Sequence, residues 1–199
     1  MANTFAPFGF SQTSGTGSAP TYEQVPVLIA SNYTTAIFYG DPVYPLNTGY
    51  IAGSSVSPGT TQIAGIFVGC KYLSTSQKRV VWSNYWPGSD ANGDVTAYIV
   101  NDPNAQFLVQ VGGSTTTGIV QGDVNANVQF NYGTGNTANG ISGSYLDIAV
   151  TPTTTATLPF RVVSLVVDPP GANGTSSGAY NYAIVAFNNV STKQLTSVG

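Results

Sequence analysis

Three features of this 199-residue sequence predict an all-β protein: a single β-sandwich or jelly-roll-like barrel with an extended N-terminal arm. Short runs rich in Val, Ile, Thr, Tyr and Phe recur at roughly ten-residue spacing, as in sandwiches and barrels. Turn signals separate them, among them Gly40-Asp41-Pro42, Ala91-Asn92-Gly93-Asp94, Gly112-Gly113-Ser114 and Gly133-Thr134-Gly135-Asn136, whose residues tolerate the positive φ of tight turns. Helix formers are scarce while Thr, Val and Tyr abound, the reverse of a helical preference.

Residues 1–26 read as the arm and 27–199 as the body. The arm has no period of two or of 3.6, and its stretch from Ser11 to Pro20 has the Gly/Ser/Thr composition of a linker. Phe5, Phe8 and Phe10 depart from that composition, because a solvated linker has no use for three large apolar rings. They are expected to dock on something, either the chain's own barrel or a neighbouring molecule. Strands are then expected at 27–30, 35–39, 62–73, 79–82, 95–100, 106–111, 124–132, 145–150, 158–167 and 180–187. Val128-Gln129-Phe130-Asn131-Tyr132 alternates apolar and polar residues like a half-buried strand. The nearly continuous apolar run 158–167 belongs in the middle of a sheet, with Arg161 exposed or paired.

Composition limits the chemistry. The chain has no histidine, one cysteine, and only five Lys+Arg against eight Asp+Glu. Histidine is the usual proton carrier near neutral pH and the usual metal ligand, so no Ser–His triad and no His/Cys zinc site are expected. Asp90, Asp94 and Asp102 are the carboxylates closest in sequence, but they stand beside Gly, Pro and Asn as turn formers do. Asp90, Asn92 and Asp94 alternate like an oxygen-ligand loop, yet no glutamate closes it. No cofactor, no metal and no enzymatic activity are expected. Cys70, in the apolar run Ile66-Phe67-Val68-Gly69-Cys70, reads as a small buried hydrophobe. The cations form no stripe, which argues against nucleic acid, and no apolar stretch approaches ~20 residues, which argues against a membrane-spanning helix.

The richest local feature is Trp82-Ser83-Asn84-Tyr85-Trp86-Pro87-Gly88. Strand alternation would turn Trp82 inward and leave Tyr85-Trp86-Pro87 as a corner capping the barrel. Functionally, the same rings could stack on a sugar or anchor a protein partner.

Several phrases together resemble one family. Ala6-Pro7-Phe8-Gly9-Phe10 comes first, then Tyr39-Gly40-Asp41-Pro42-Val43, the run from Ala64 to Tyr72, and Ser83-Asn84-Tyr85-Trp86-Pro87-Gly88. Asp102-Pro103-Asn104-Ala105-Gln106-Phe107 and Leu165-Val166-Val167-Asp168-Pro169-Pro170 follow in order. The sequence resembles the capsid decoration, or cement, proteins of tailed bacteriophages. The resemblance implies a β-sandwich or jelly-roll-like body that forms homodimers or homotrimers on the outside of the icosahedral head and bridges major capsid protein subunits. It implies no catalytic residues, and a protein made in the host cytoplasm that ends in the virion. On that reading Phe5, Phe8 and Phe10 are the expected arm anchors and Tyr85 and Trp86 a second capsid contact. Deleting residues 1–20 would then weaken attachment and leave the body folded. The alternative is a carbohydrate-binding or adhesive β module of tail-fibre or lectin-like kind.

Overall fold

Alternating side chains and Gly/Pro/Asn turns produce the expected all-β architecture. The computed structural model describes residues 3–15, 23–53, 62–149, 152–166 and 178–193. Among these the strands are β1 (Ser11–Ser14), β2 (Val25–Ile29), β3 (Pro42–Pro45), β4 (Ile51–Ala52), β5 (Gly65–Leu73), β6 (Val80–Ser83), β7 (Val95–Val100), β8 (Gln106–Gly112), β9 (Asn127–Asn131), β10 (Tyr145–Asp147), β11 (Phe160–Leu165) and β12 (Tyr182–Phe187). One 3-10 turn, Gln121–Asp123, is the only helical element described.

The first sheet runs β1-β8-β10-β9-β11-β12, and β12 pairs back onto β8. The five strands β8, β10, β9, β11 and β12 therefore form a ring, which removes the free edges that would invite aggregation. Strand β8 achieves this by dividing one edge. Its residues 106–108 pair with β1, and Val111 and Gly112 pair in parallel with β10. Phe107, Val109, Val111, Val128, Phe130, Leu146, Phe160, Val162, Val185 and Phe187 fill the core of this ring. As the apolar run predicted, β11 lies between two neighbours, with Arg161 exposed.

The second sheet has the order β2-β7-β5-β3-β4, with β6 added beside β5. One face carries Ile29, Val43, Phe67, Cys70, Tyr72, Val95, Ala97 and Ile99 into a second core cluster that Ile37 and Trp86 complete. The other face joins the ring: Ile66 and Val100 belong to its core and Val68 packs against it.

The described part of the N-terminal segment is built into this body. Gly9 N–H donates to Ser144 O at 3.2 Å, Phe10 N–H donates to Gly40 O at 2.9 Å, and β1 pairs with β8. Only glycine fits at position 9, where φ is +77° and a Cβ would lie 2.7 Å from Ser142 Cβ. That close approach sends Phe10 into the ring core, 2% exposed and stacked on Phe160 at 4.4 Å. Phe10 is thus a core residue and not an anchor for another molecule. The cause is its neighbour, whose missing side chain lets two backbones touch. Residues 16–22 of the expected arm lie outside the described residues.

Two further expectations are corrected. Segment 35–39 makes only isolated bridges, Ile37 to Trp86 and Tyr39 to Ile141, because the Gly40-Asp41-Pro42 corner turns the chain before a ladder can extend. Strands β1, β3 and β4 go beyond the expected set: Ser11–Ser14 pairs with β8 despite its linker-like composition, and prolines at both ends of β3 mask its strand signal.

Phe10→Ala should cost about 3–5 kcal/mol, the usual loss for a buried phenylalanine. Denaturant unfolding reads this directly, and a chain lacking residues 1–14 should be at least as unstable.

Candidate interaction face

The face of the second sheet that starts in the ring core does not stay buried. In the β5–β7 pairing, Ile66 lies opposite Val100, Gly69 opposite Tyr98 and Lys71 opposite Thr96, with a bulge between Phe67 and Gly69. In β2, Pro26 lies opposite Tyr98 and Leu28 opposite Thr96. In β6, Trp82 lies opposite Lys71 and Val80 opposite Leu73. Paired residues share a face, so Leu28, Thr96, Lys71 and Trp82 form one row across four strands. The sheet leaves the ring here and its face emerges into solvent. Trp82 is 65% exposed, Val80 54%, Leu28 44% and Leu73 42%.

Trp82 is held flat over this surface. Its ring stacks on Tyr98 at 5.8 Å and 14°, and Lys71 Nζ lies 5.0 Å from the ring centroid, a cation–π arrangement. Between Trp82 and Tyr98 runs Gly69, where a Cβ would stand 2.9 Å from Ser83 O. Glycine lets β6 close on β5 and leaves the rings free to meet across the central strand. A groove of about 460 Å³ opens beside them, lined by Gln24, Val68, Gly69, Cys70, Trp82, Ser83, Asn84 and Tyr98.

Alternation had placed Trp82 inward, and the structure reverses this. Val81 lies opposite Tyr72 and packs toward the second core, while Trp82 is registered with Lys71. An unpaired lysine requires solvent, and one residue of phase decides every side chain on the strand. Trp86, expected at a contact, is fully buried. It exchanges main-chain hydrogen bonds with Ile37 at 3.0 and 2.8 Å and meets Tyr72 edge-on at 5.1 Å. A ring sealed in the core cannot touch a partner, so Trp86 leaves the contact set. Tyr85 is half-buried and stacked on Phe38 at 5.5 Å. Phe8 is half-buried against Tyr182. Phe5 keeps 42% exposure while leaning on Tyr145 and Tyr180. The structure gathers none of these with Trp82 into one site.

Buried Gln110 went unnoticed in the sequence. Its Nε2 donates to Thr4 O at 2.8 Å and its Oε1 accepts from Ala6 N–H at 2.9 Å, which clips the segment carrying Phe5 to β8.

The carboxylates are occupied separately. Asp90 accepts from Ser74 Oγ (2.7 Å), Thr75 Oγ1 and Ser76 N–H, closing the β5–β6 turn; the Ser74 bond leads in lowering its pKa to about 2. Asp94 accepts from Ser31 N–H and Tyr50 Oη. Asp102 Oδ1 accepts from Asn104 N–H in a turn. Among the described residues no three His, Cys, Asp or Glu side chains are grouped to hold a metal. Burial pushes the Cys70 thiol up to about 12, so it stays protonated and unreactive.

Asp41 is the buried exception. It accepts from Ser142 Oγ (2.5 Å), Ser144 Oγ (2.6 Å) and Phe38 N–H (2.8 Å), yet burial outweighs these bonds and raises its pKa above the ordinary 3.8. The folded state then holds this proton more tightly than the unfolded chain. Its contribution is complete below 3.8 and is lost as pH rises through the raised value. In a stability–pH profile, Asp41→Asn should flatten that decline while costing stability overall, because one of the two oxygens that accept from Phe38 N–H and the serine hydroxyls becomes an NH2 donor.

Trp86→Ala should cost about 3–5 kcal/mol, whereas Trp82→Ala should cost at most about 1 kcal/mol. Urea unfolding of the two variants checks this contrast. Compared with known proteins, the chain matches no family model, no curated protein and no solved structure.

Proposed function

We propose that this protein is a virion structural protein that decorates an icosahedral phage head, binding outside the shell and bridging major capsid protein subunits. The sequence resemblance supports the capsid assignment. The single structural observation that supports a gripping role is the exposed four-strand face that carries Trp82, Val80 and Leu73 at one side and Leu28 at the other. Scattered exposed apolar residues need no explanation, but a contiguous patch marks an interaction surface. Tryptophan is the residue most enriched among interface hot spots. A protein that binds assembled shell and not separated subunits lowers the shell's free energy at each occupied site, and a homodimeric or homotrimeric protein would multiply weak contacts into avidity. Phe5 offers a second, separate contact.

A carbohydrate-binding role is the second reading. The groove beside Trp82 favours it, because Gln24, Ser83 and Asn84 offer polar groups next to an exposed ring.

The test is co-sedimentation with empty heads assembled from the major capsid protein of the same genome. Wild-type protein should pellet with heads. Trp82→Ala, still folded, should bind at least about thirtyfold more weakly, the loss of one hot spot. Failure of wild-type protein to pellet overturns the capsid reading. Glycan-array binding lost in the same variant would establish the sugar reading in its place.

A further inference from the structure

We propose that Asn92 is a site of spontaneous modification, deamidating to aspartate and isoaspartate by attack of its own main chain. The sequence contains Asn92-Gly93, Asn139-Gly140 and Asn173-Gly174, the last outside the described residues. Glycine after asparagine puts no side chain in the way of the reaction. The deprotonated Gly93 nitrogen attacks Asn92 Cγ, a carbon–nitrogen bond forms, and the side-chain nitrogen leaves as ammonia. Water then opens the five-membered succinimide at either carbonyl. One opening leaves a normal aspartyl linkage, and the other routes the main chain through Cβ as isoaspartate. Nothing is oxidised or reduced, and water is the only co-reactant.

The structure separates the two described pairs. Asn92 and Gly93 are both exposed, and nothing lies within 4 Å of where a Gly93 Cβ would stand. Among the described residues, neither the Asn92 side-chain amide nor Gly93 N–H makes a hydrogen bond; only Asn92 N–H is used, donating to Leu73 O at 2.8 Å. The atoms that must meet are therefore unengaged. At the second pair both are held: Gly140 N–H donates to Asn136 O at 2.7 Å, and Asn139 Oδ1 accepts from Ile141 N–H at 3.0 Å. Asn139 O also accepts from Asn84 Nδ2 at 2.7 Å. Breaking such bonds adds to the barrier, so the same dipeptide reacts at one site and rests at the other.

The product strikes a sensitive loop. A new carboxylate appears between Asp90, which closes the β5–β6 turn, and Asp94, which holds Ser31 and Tyr50. The isoaspartyl form also lengthens the main chain beside the Asn92–Leu73 hydrogen bond. Loosening there would disturb the hairpin that carries Trp82. This consequence for binding rests on reading that hairpin as the docking face; the modification itself does not.

The experiment incubates purified full-length protein at mildly alkaline pH and follows proteolytic peptides by mass spectrometry, with isoaspartyl methyltransferase labelling. A denaturant-unfolded sample sets the interval, sampled until both pairs have converted in it. In the native protein the Asn92 peptide should convert while the Asn139 peptide stays amidated; unfolded, the two should convert at comparable rates. Native Asn139 converting as fast as Asn92 would overturn the assignment, as would native Asn92 remaining an amide throughout. Neither readout depends on heads, so it stands or falls apart from the capsid reading.

Discussion

The Asp41 carboxylate joins two chain segments that are remote in sequence, and main-chain bonds bring a third to the same place. It stands immediately before β3 and takes donors from Ser142 and Ser144, just ahead of β10. Main-chain bonds from Gly9 to Ser144 and from Phe10 to Gly40 close the same junction, and Tyr132 Oη donates to Pro42 O at 2.6 Å beside it. A buried carboxylate is costly unless its oxygens are satisfied, and here Ser142, Ser144 and Phe38 satisfy both of them. Once formed, the junction fixes where the second sheet leaves the ring and delivers Phe10 into the core.

From that junction the role of β5 follows. Nine residues long, it is central to the second sheet and must satisfy two environments in succession. Ile66 and Val68 belong to the side packed on the ring, whereas Lys71 and Leu73, further along the same face, stand in solvent. The bulge at Phe67/Gly69 keeps Phe67, Cys70 and Tyr72 together on the inner cluster while adding a residue on the outer side. Bulges of this kind bend and re-aim a strand. Here the result is a projecting sheet with one sealed face and one open face, and the open one carries Trp82.

Strand type and approximate position were legible wherever one physical factor dominated. The alternation of β9 and the apolar run of β11 each reflect burial directly, and both segments form strands where expected. Legibility failed where the deciding partner was far away in sequence. Phe10 looked like an arm anchor because nothing near it announces that Gly9 fits against Gly40 and Ser142. Trp82 and Trp86 exchanged roles because a strand's phase depends on its neighbour. The clue was Lys71, which cannot be buried unpaired and lies opposite Trp82. Gln110 gave no local signal at all, since its partners are main-chain atoms at Thr4, Ala6 and Tyr180 and the Tyr182 hydroxyl, all remote in sequence.

An open apolar face beside an edge strand would ordinarily invite self-association. Strand β6 pairs only with β5 among the described strands, and its outer residues include Val80 and Trp82. Yet three of the five cations in the chain, Lys71, Lys78 and Arg79, lie on this one hairpin, all exposed. Charged side chains at such an edge act as gatekeepers. Lys71 is registered opposite Trp82 on the open face, whereas Lys78 and Arg79 lie in the turn that Asp90 closes. Charge at this edge keeps the apolar surface beside it solvated. In a chain with so few charges, where they are placed matters more than how many there are.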